Sequence, residues 1–248
     1  GYFNDTVDFD PGAGTTNLTS NGSSDVFVSK LDSSGDLVWA KSFGEPRSDW
    51  AESVAVDSSG NVYTTGRFAT YYSSGTVDFD PGAGTAGLPS NGSYDAFVSK
   101  LDSSGDYVWA KSLGGPAGDY GYSVAVDSSG NVYTTGLFHS GGYQGAVDFD
   151  PGAGTLELIG AGTAESNLNG GTDAFVWKLD SSGNLVTGAG VTVALSGGST
   201  AVSEAGSTDS FTVVLNAQPS SDVVLSVVSA DTGEATVSPA QLTFTSGN

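Results

Sequence analysis

A long stretch of this chain is written more than twice. T-V-D-F-D-P-G-A-G-T at 6–15 recurs at 76–85, 70 residues later, and A-V-D-F-D-P-G-A-G-T follows at 146–155. D-V-F-V-S-K-L-D-S-S-G-D-L-V-W-A-K-S-F-G at 25–44 returns almost unchanged at 95–114 and again, decayed, as D-A-F-V-W-K-L-D-S-S-G-N-L-V at 173–186. S-V-A-V-D-S-S-G-N-V-Y-T-T-G is identical at 53–66 and 123–136. Repetition at a fixed period makes each unit one supersecondary element, which hides its apolar faces only by stacking on its neighbours.

Within a unit, period-2 alternation predicts four strands: Ser123–Val126, Asn131–Phe138, Ala96–Leu101 and Tyr107–Ser112. The turn D-S-S-G-[DN] at 32–36, 57–61, 102–106, 127–131 and 180–184 joins adjacent strands, with Gly where positive φ is needed. Both strand faces carry small or apolar residues, as in a sheet packed between two others. Four short strands per unit is a propeller blade. The fold expected is all-β: about two and a half four-stranded antiparallel blades of a β-propeller, then an incomplete β-sandwich.

Gly1-Tyr2-Phe3 aligns with Gly66-Arg67-Phe68 and Gly136-Leu137-Phe138, so the reading is of a fragment that opens inside a unit. It places a half blade at 1–50, a blade at 51–120 and a blade with a decayed last strand at 121–188. From 189 to 248 the pattern changes, with alternating strands at about 191–195, 210–215, 223–228 and 241–245.

Composition narrows function. With 28 acidic and 7 basic residues the formal net charge is −21, which repels phosphate backbones and anionic lipid surfaces, so neither nucleic acid nor a membrane is an expected partner. No apolar run approaches the length of a membrane-spanning helix. The absence of Cys removes thiol nucleophiles, disulfides and thiolate metal sites.

D-[AV]-F-V-x-K-L-D-S-S-G, V-W-A-K-S-[FL]-G and S-V-A-V-D-S-S-G-N-V-Y-T-T-G, in that order, resemble the bacterial β-propeller repeat family SBBP over about residues 1–187. The resemblance implies several blades in a large secreted or surface-attached bacterial protein, hence an extracellular location, with no catalytic residues in the repeat. V-S-E-A-G, S-F-T-V-V-L and D-T-G-E-A after 191 resemble the first part of a Calx-β or related immunoglobulin-like domain.

Candidate sites are few. The D-F-D-P-G motif pairs Asp8 with Asp10, Asp78 with Asp80, and Asp148 with Asp150. Each pair places two carboxylates on one side of a strand, where they could share a calcium ion; the alternative is that the second Asp of each pair caps a Pro-Gly turn through its side chain, with no metal needed. Resemblance to Calx-β domains adds Glu204 and Asp231 as calcium ligands. Tyr71, Tyr72 and Tyr143 vary between units in matching loops, as a ligand surface on a fixed scaffold would. Trp39 and Trp109 are read as inter-blade packing, Trp177 as filler of the last blade, His139 as a solvated loop residue, and Lys30, Lys100 and Lys178 as ordinary surface pairs.

Three functions follow. The first is a non-catalytic scaffold for adhesion or protein interaction, whose partners are neighbouring blades or domains and surface proteins or glycans. The second is a carbohydrate-binding propeller. The third is an enzyme fragment, which would need one unit with distinct pocket residues, whereas the units differ only in their loops.

Overall fold

The computed structural model describes residues 1–70, 75–140, 146–158, 171–186, 191–195, 210–215, 222–226 and 236–245. It divides into two compact units, Gly1–Val186 and Thr187–Asn248. Every regular element among the described residues is a β-strand.

The first period of the larger unit holds β1 (Tyr2–Phe3), β2 (Thr6–Asp8), β3 (Asn17–Thr19), β4 (Asp25–Leu31) and β5 (Leu37–Phe43). The second holds β6 (Trp50–Val56), β7 (Val62–Phe68), β8 (Thr76–Asp78), β9 (Gly87–Pro89), β10 (Asp95–Leu101) and β11 (Tyr107–Leu113). The third holds β12 (Tyr120–Val126), β13 (Val132–Ser140), β14 (Val147–Asp148), β15 (Glu157–Leu158) and β16 (Gly171–Leu179). These strands build three meandering antiparallel sheets, β1-β4-β5, β6-β7-β10-β11 and β12-β13-β16, each the whole or part of a propeller blade. The last blade begins its fourth strand with a single bridge, Leu179 to Leu185.

The turns that close these strands have a common mechanism. In D-S-S-G-N at 57–61 one oxygen of Asp57 accepts the Ser59 and Asn61 N–H groups at 2.9 and 3.0 Å, and the other accepts the Asn61 amide and the Tyr63 hydroxyl at 2.7 and 3.1 Å. Asp127 repeats this with Ser129, Asn131 and Tyr133, and those bonds, led by the Asn131 amide, lower its pKa to about 2.

Short hairpins β2-β3, β8-β9 and β14-β15 sit between the second and third strands of each period, where no strand was expected. They surround D-F-D-P-G, and alternation explains that motif. Val77 and Phe79 point inward and are fully buried, while Asp78 and Asp80 remain partly exposed. One unit later Val147 and Phe149 are buried in the same way, with Asp148 and Asp150 partly exposed.

The core lies between sheets. One cluster joins Val26 and Phe43 of the first sheet to Ala51, Phe68, Phe97 and Ala110 of the second, with Val77 and Phe79 inserted. Another joins Ala96, Val98, Trp109 and Leu113 to Val132, Phe138 and Phe175 of the third. Trp177 fills this last blade as expected: it is 2% exposed and donates its indole N–H to the Phe149 carbonyl at 2.9 Å.

The smaller unit shows two antiparallel pairs, β17 (Val191–Leu195) with β18 (Phe211–Leu215) and β19 (Val223–Ser226) with β20 (Gln241–Phe244).

Candidate functional site

The D-F-D-P-G carboxylates are spent on the backbone. Asp8 Oδ1 accepts the N–H groups of Asp10 and Thr16 at 3.0 and 2.8 Å, and Asp10 Oδ1 accepts that of Gly12 at 2.7 Å. Asp78 Oδ1 accepts those of Asp80 and Ala86 at 3.0 and 2.7 Å, and Asp80 Oδ1 that of Gly82 at 2.7 Å. In the third unit Asp148 Oδ1 accepts those of Asp150 and Leu156 at 2.9 and 2.8 Å, and Asp150 Oδ1 that of Gly152 at 2.8 Å. The bonds to Thr16 and Asp10 hold the Asp8 carboxyl below its ordinary pKa. Among the described residues no three Asp, Glu or His side chains gather as a metal site. Asp8, Asp10, Asp78, Asp80, Asp148 and Asp150 each turn one carboxylate oxygen to backbone N–H groups of their own loop, which is the turn-capping geometry weighed above against a shared calcium ion. Glu204, Asp231, Tyr71, Tyr72 and Tyr143 lie outside the described residues.

Neighbouring blades are clamped by a motif that the sequence places in one blade and the structure shows spanning two. Lys30 Nζ and the Trp39 indole N–H, on paired strands of the first sheet, both donate to the Ser103 carbonyl in the second sheet's 102–106 turn, at 3.0 and 3.2 Å. Lys100 Nζ and Trp109 do the same to Ser181, at 3.3 and 3.1 Å. Lys30 and Lys100 are therefore inter-blade donors, correcting their reading as ordinary surface pairs. Lys41 adds an ion pair with Asp106 at 3.6 Å.

On this common frame, the residues that differ between units meet at one rim. Tyr2 of the first sheet lies 6.2 Å from Trp50, Trp50 lies 5.4 Å from Tyr94, and Tyr94 lies 6.2 Å from Tyr120 of the third sheet. Tyr122 stacks on Tyr120 at 6.2 Å. The Arg67 guanidinium sits over both Trp50 and Tyr120, 4.4 and 5.3 Å from the ring centres, and bonds Glu52 at 2.8 Å. One unit later Trp50, Glu52 and Arg67 become Tyr120, Tyr122 and Leu137, and Tyr94 replaces Ser24. The variation is thus on strands as well as loops.

Buried carboxylates set the rim's position. Asp49, immediately before Trp50, accepts the N–H groups of Glu45 and Ala69 at 2.9 and 3.1 Å, and burial pushes its pKa up to about 7. Asp119, before Tyr120, accepts those of Gly115 and His139 at 2.8 and 2.9 Å, and burial raises it too. His139 is half-buried at the end of β13, with Nδ1 against the Gly118 carbonyl and its ring edge-on to Tyr120 at 6.0 Å, so it is not a solvated loop residue.

Comparison with known proteins falls on this frame. Residues 38–67 and 108–137 match the β-propeller repeat family SBBP. Each SBBP segment runs from the last strand of one sheet through the first two strands of the next, and so contains the crossing between blades. The chain is also similar, at 31% identity over 146 residues, to the regulatory protein FlaEY of Caulobacter vibrioides. It is 28% identical over 131 residues to the WD repeat-containing protein L264 of Acanthamoeba polyphaga mimivirus. These alignments cover 59% and 51% of this chain but only 15% and 9% of the relatives.

The rim was missed because its residues stand far apart in sequence and occupy the positions at which the repeat breaks. The available signal was Trp50 against Tyr120 and Glu52 against Tyr122, immediately before the identical stretches 53–66 and 123–136.

Proposed function

We propose that this chain is a non-catalytic repeat scaffold that binds protein partners through the rim formed by Trp50, Arg67, Tyr94, Tyr120 and Tyr122. The observation that carries this is the convergence of unit-specific Trp, Tyr and Arg side chains on a frame whose clamps repeat. Those three residue types dominate binding energy at protein interfaces, because they combine large apolar area with a polar handle. Similarity to a regulatory protein and to a WD repeat-containing protein supports an interaction role. The reading keeps the scaffold at the cell exterior, with the second unit as a Calx-β or immunoglobulin-like module whose two antiparallel strand pairs support it.

A screen of the intact chain against a diverse peptide array tests this. Binding should fall at least tenfold in Trp50→Ala and Tyr120→Ala and persist in Val38→Ser, which changes an exposed residue of the outer strand β5. Binding indifferent to both rim variants would overturn it. The aromatic rim also favours a carbohydrate-binding reading, which predicts hits on a glycan array and none on the peptide array.

A further inference from the structure

A second surface, separate from the rim, runs along the outer edge of the second sheet. β11 is the last strand of that sheet: one side pairs with β10, and among the described residues no strand pairs along the other. At Ala110 the backbone N–H donates to the Tyr107 hydroxyl of the same strand, at 3.0 Å. At the far end Gly114 makes a single antiparallel bridge to Asp148 of the third unit. Gly114-Gly115 ends the strand without a side chain, where the preceding unit has Gly44-Glu45.

Alongside this edge lies a cleft of about 290 Å³, lined by β11 from Ala110 to Gly114, by Leu88 and Pro89 of β9, and by Asp148 and Asp150 of the third unit. Its charge is acidic. Asp148 Oδ1 accepts the Asp150 and Leu156 N–H groups at 2.9 and 2.8 Å, its Oδ2 bonds nothing among the described residues, and the residue is partly exposed. Lys111, the one base of the lining, carries its side chain toward the 180–184 turn, with Cε 3.1 Å from where a Cβ on Gly183 would stand. A strand edge free to pair, set beside an uncompensated carboxylate in a chain of net charge −21, is complementary to an extended and basic segment.

We propose that the outer edge of β11 is a docking seat for a short extended segment of a basic partner protein, which adds to the strand and sets a Lys or Arg side chain on Asp148. Main-chain hydrogen bonds to the β11 edge supply affinity, and the carboxylate selects for charge. Leu88 and Pro89 offer apolar surface to the stem of the long basic side chain. From Ala110 to Gly114 the edge runs for about 13 Å, a match for about four residues of added strand. The bridge from Gly114 to Asp148 shows that this edge already accepts one strand at its end, so the added segment continues a pairing begun by the third unit.

The test adds a labelled hexapeptide of alternating valine and lysine to the intact chain, in buffer containing chelator, and follows fluorescence anisotropy. Expected is saturable binding that weakens about fivefold in Asp148→Asn, which keeps the Oδ1 acceptor of the turn but removes the charge. Asp36→Asn removes the same charge from the exposed 32–36 turn and leaves binding unchanged, as does Trp50→Ala at the rim. Methylating alternate backbone nitrogens of the peptide keeps its charge, deletes its strand donors and weakens binding at least about tenfold. Should Asp148→Asn lower the melting midpoint, Ser112→Tyr, which crowds the cleft from β11, takes its place with the same expected loss. No binding at millimolar peptide, equal weakening by Asp148→Asn and Asp36→Asn, or undiminished binding of the methylated peptide overturns the proposal; the last two would leave only attraction between a basic peptide and an acidic chain.

Discussion

Asp95→Asn should stabilise the larger unit at pH 8 and lose that advantage at pH 4.5. Asp95 is fully buried at the start of β10; one oxygen accepts the Asn91 N–H at 2.7 Å and the other has no hydrogen-bond partner. Burial, and to a lesser degree the charge of Asp119, raises its pKa from 3.8 to about 7, against the opposing pull of the Asn91 bond. The folded pKa thus exceeds the unfolded one. Stability from this group is fully present below about pH 4 and is lost as pH rises through 7. At 1.36 kcal/mol per pKa unit, ionising Asp95 in place costs about 4 kcal/mol, an order-of-magnitude figure. Asparagine keeps an acceptor for Asn91 and carries no charge, but sets an amide in the unpartnered position, which costs about 1–3 kcal/mol. The net gain at pH 8 is therefore about 1–3 kcal/mol, turning into a loss at pH 4.5. Urea titrations of both proteins at the two pH values, followed by tryptophan fluorescence, measure it. Parallel pH dependence in wild type and variant would refute the reasoning, whatever the absolute stabilities.

Further predictions concern the clamp, the turns and the rim. Gly35 and Gly105 share positive φ values of 88° and 83°, but a Cβ at Gly105 meets Trp39 and Lys41 within about 3 Å whereas one at Gly35 meets nothing. Gly35→Ala should cost about 1–2 kcal/mol for its backbone alone, and Gly105→Ala measurably more in urea midpoints. Trp109→Phe, which deletes the indole donor to Ser181, should cost about 1 kcal/mol by the same assay. Chelator should leave the melting midpoint unchanged, because the D-F-D-P-G carboxylates, from Asp8 to Asp150, already bond backbone N–H groups; a lowered midpoint would assign calcium to those turns. Trp50→Ala should weaken partner binding with little change in urea midpoint, since a half-buried rim residue is not part of the inter-sheet core.

The meander was legible because its strands, β1 apart, are seven residues or more, long enough for period-2 alternation, and because each D-S-S-G turn carries its own carboxylate and glycine. The β8-β9 hairpin was not, since three-residue strands leave only Val77 and Phe79 as a trace. Lys30 was misassigned because its acceptor lies 73 residues away, on a carbonyl that no side-chain pattern marks. The rim stayed hidden for the opposite reason: repeat analysis attends to what recurs, and Trp50, Arg67 and Tyr94 do not.

The clamp also has a direction. Lys30, Trp39 and Lys41 all precede the turn they hold, as Lys100 and Trp109 precede theirs. During synthesis each new turn therefore emerges onto a seat already made. Units can be appended at the growing end, by translation or by gene duplication, without disturbing the joints laid down before them.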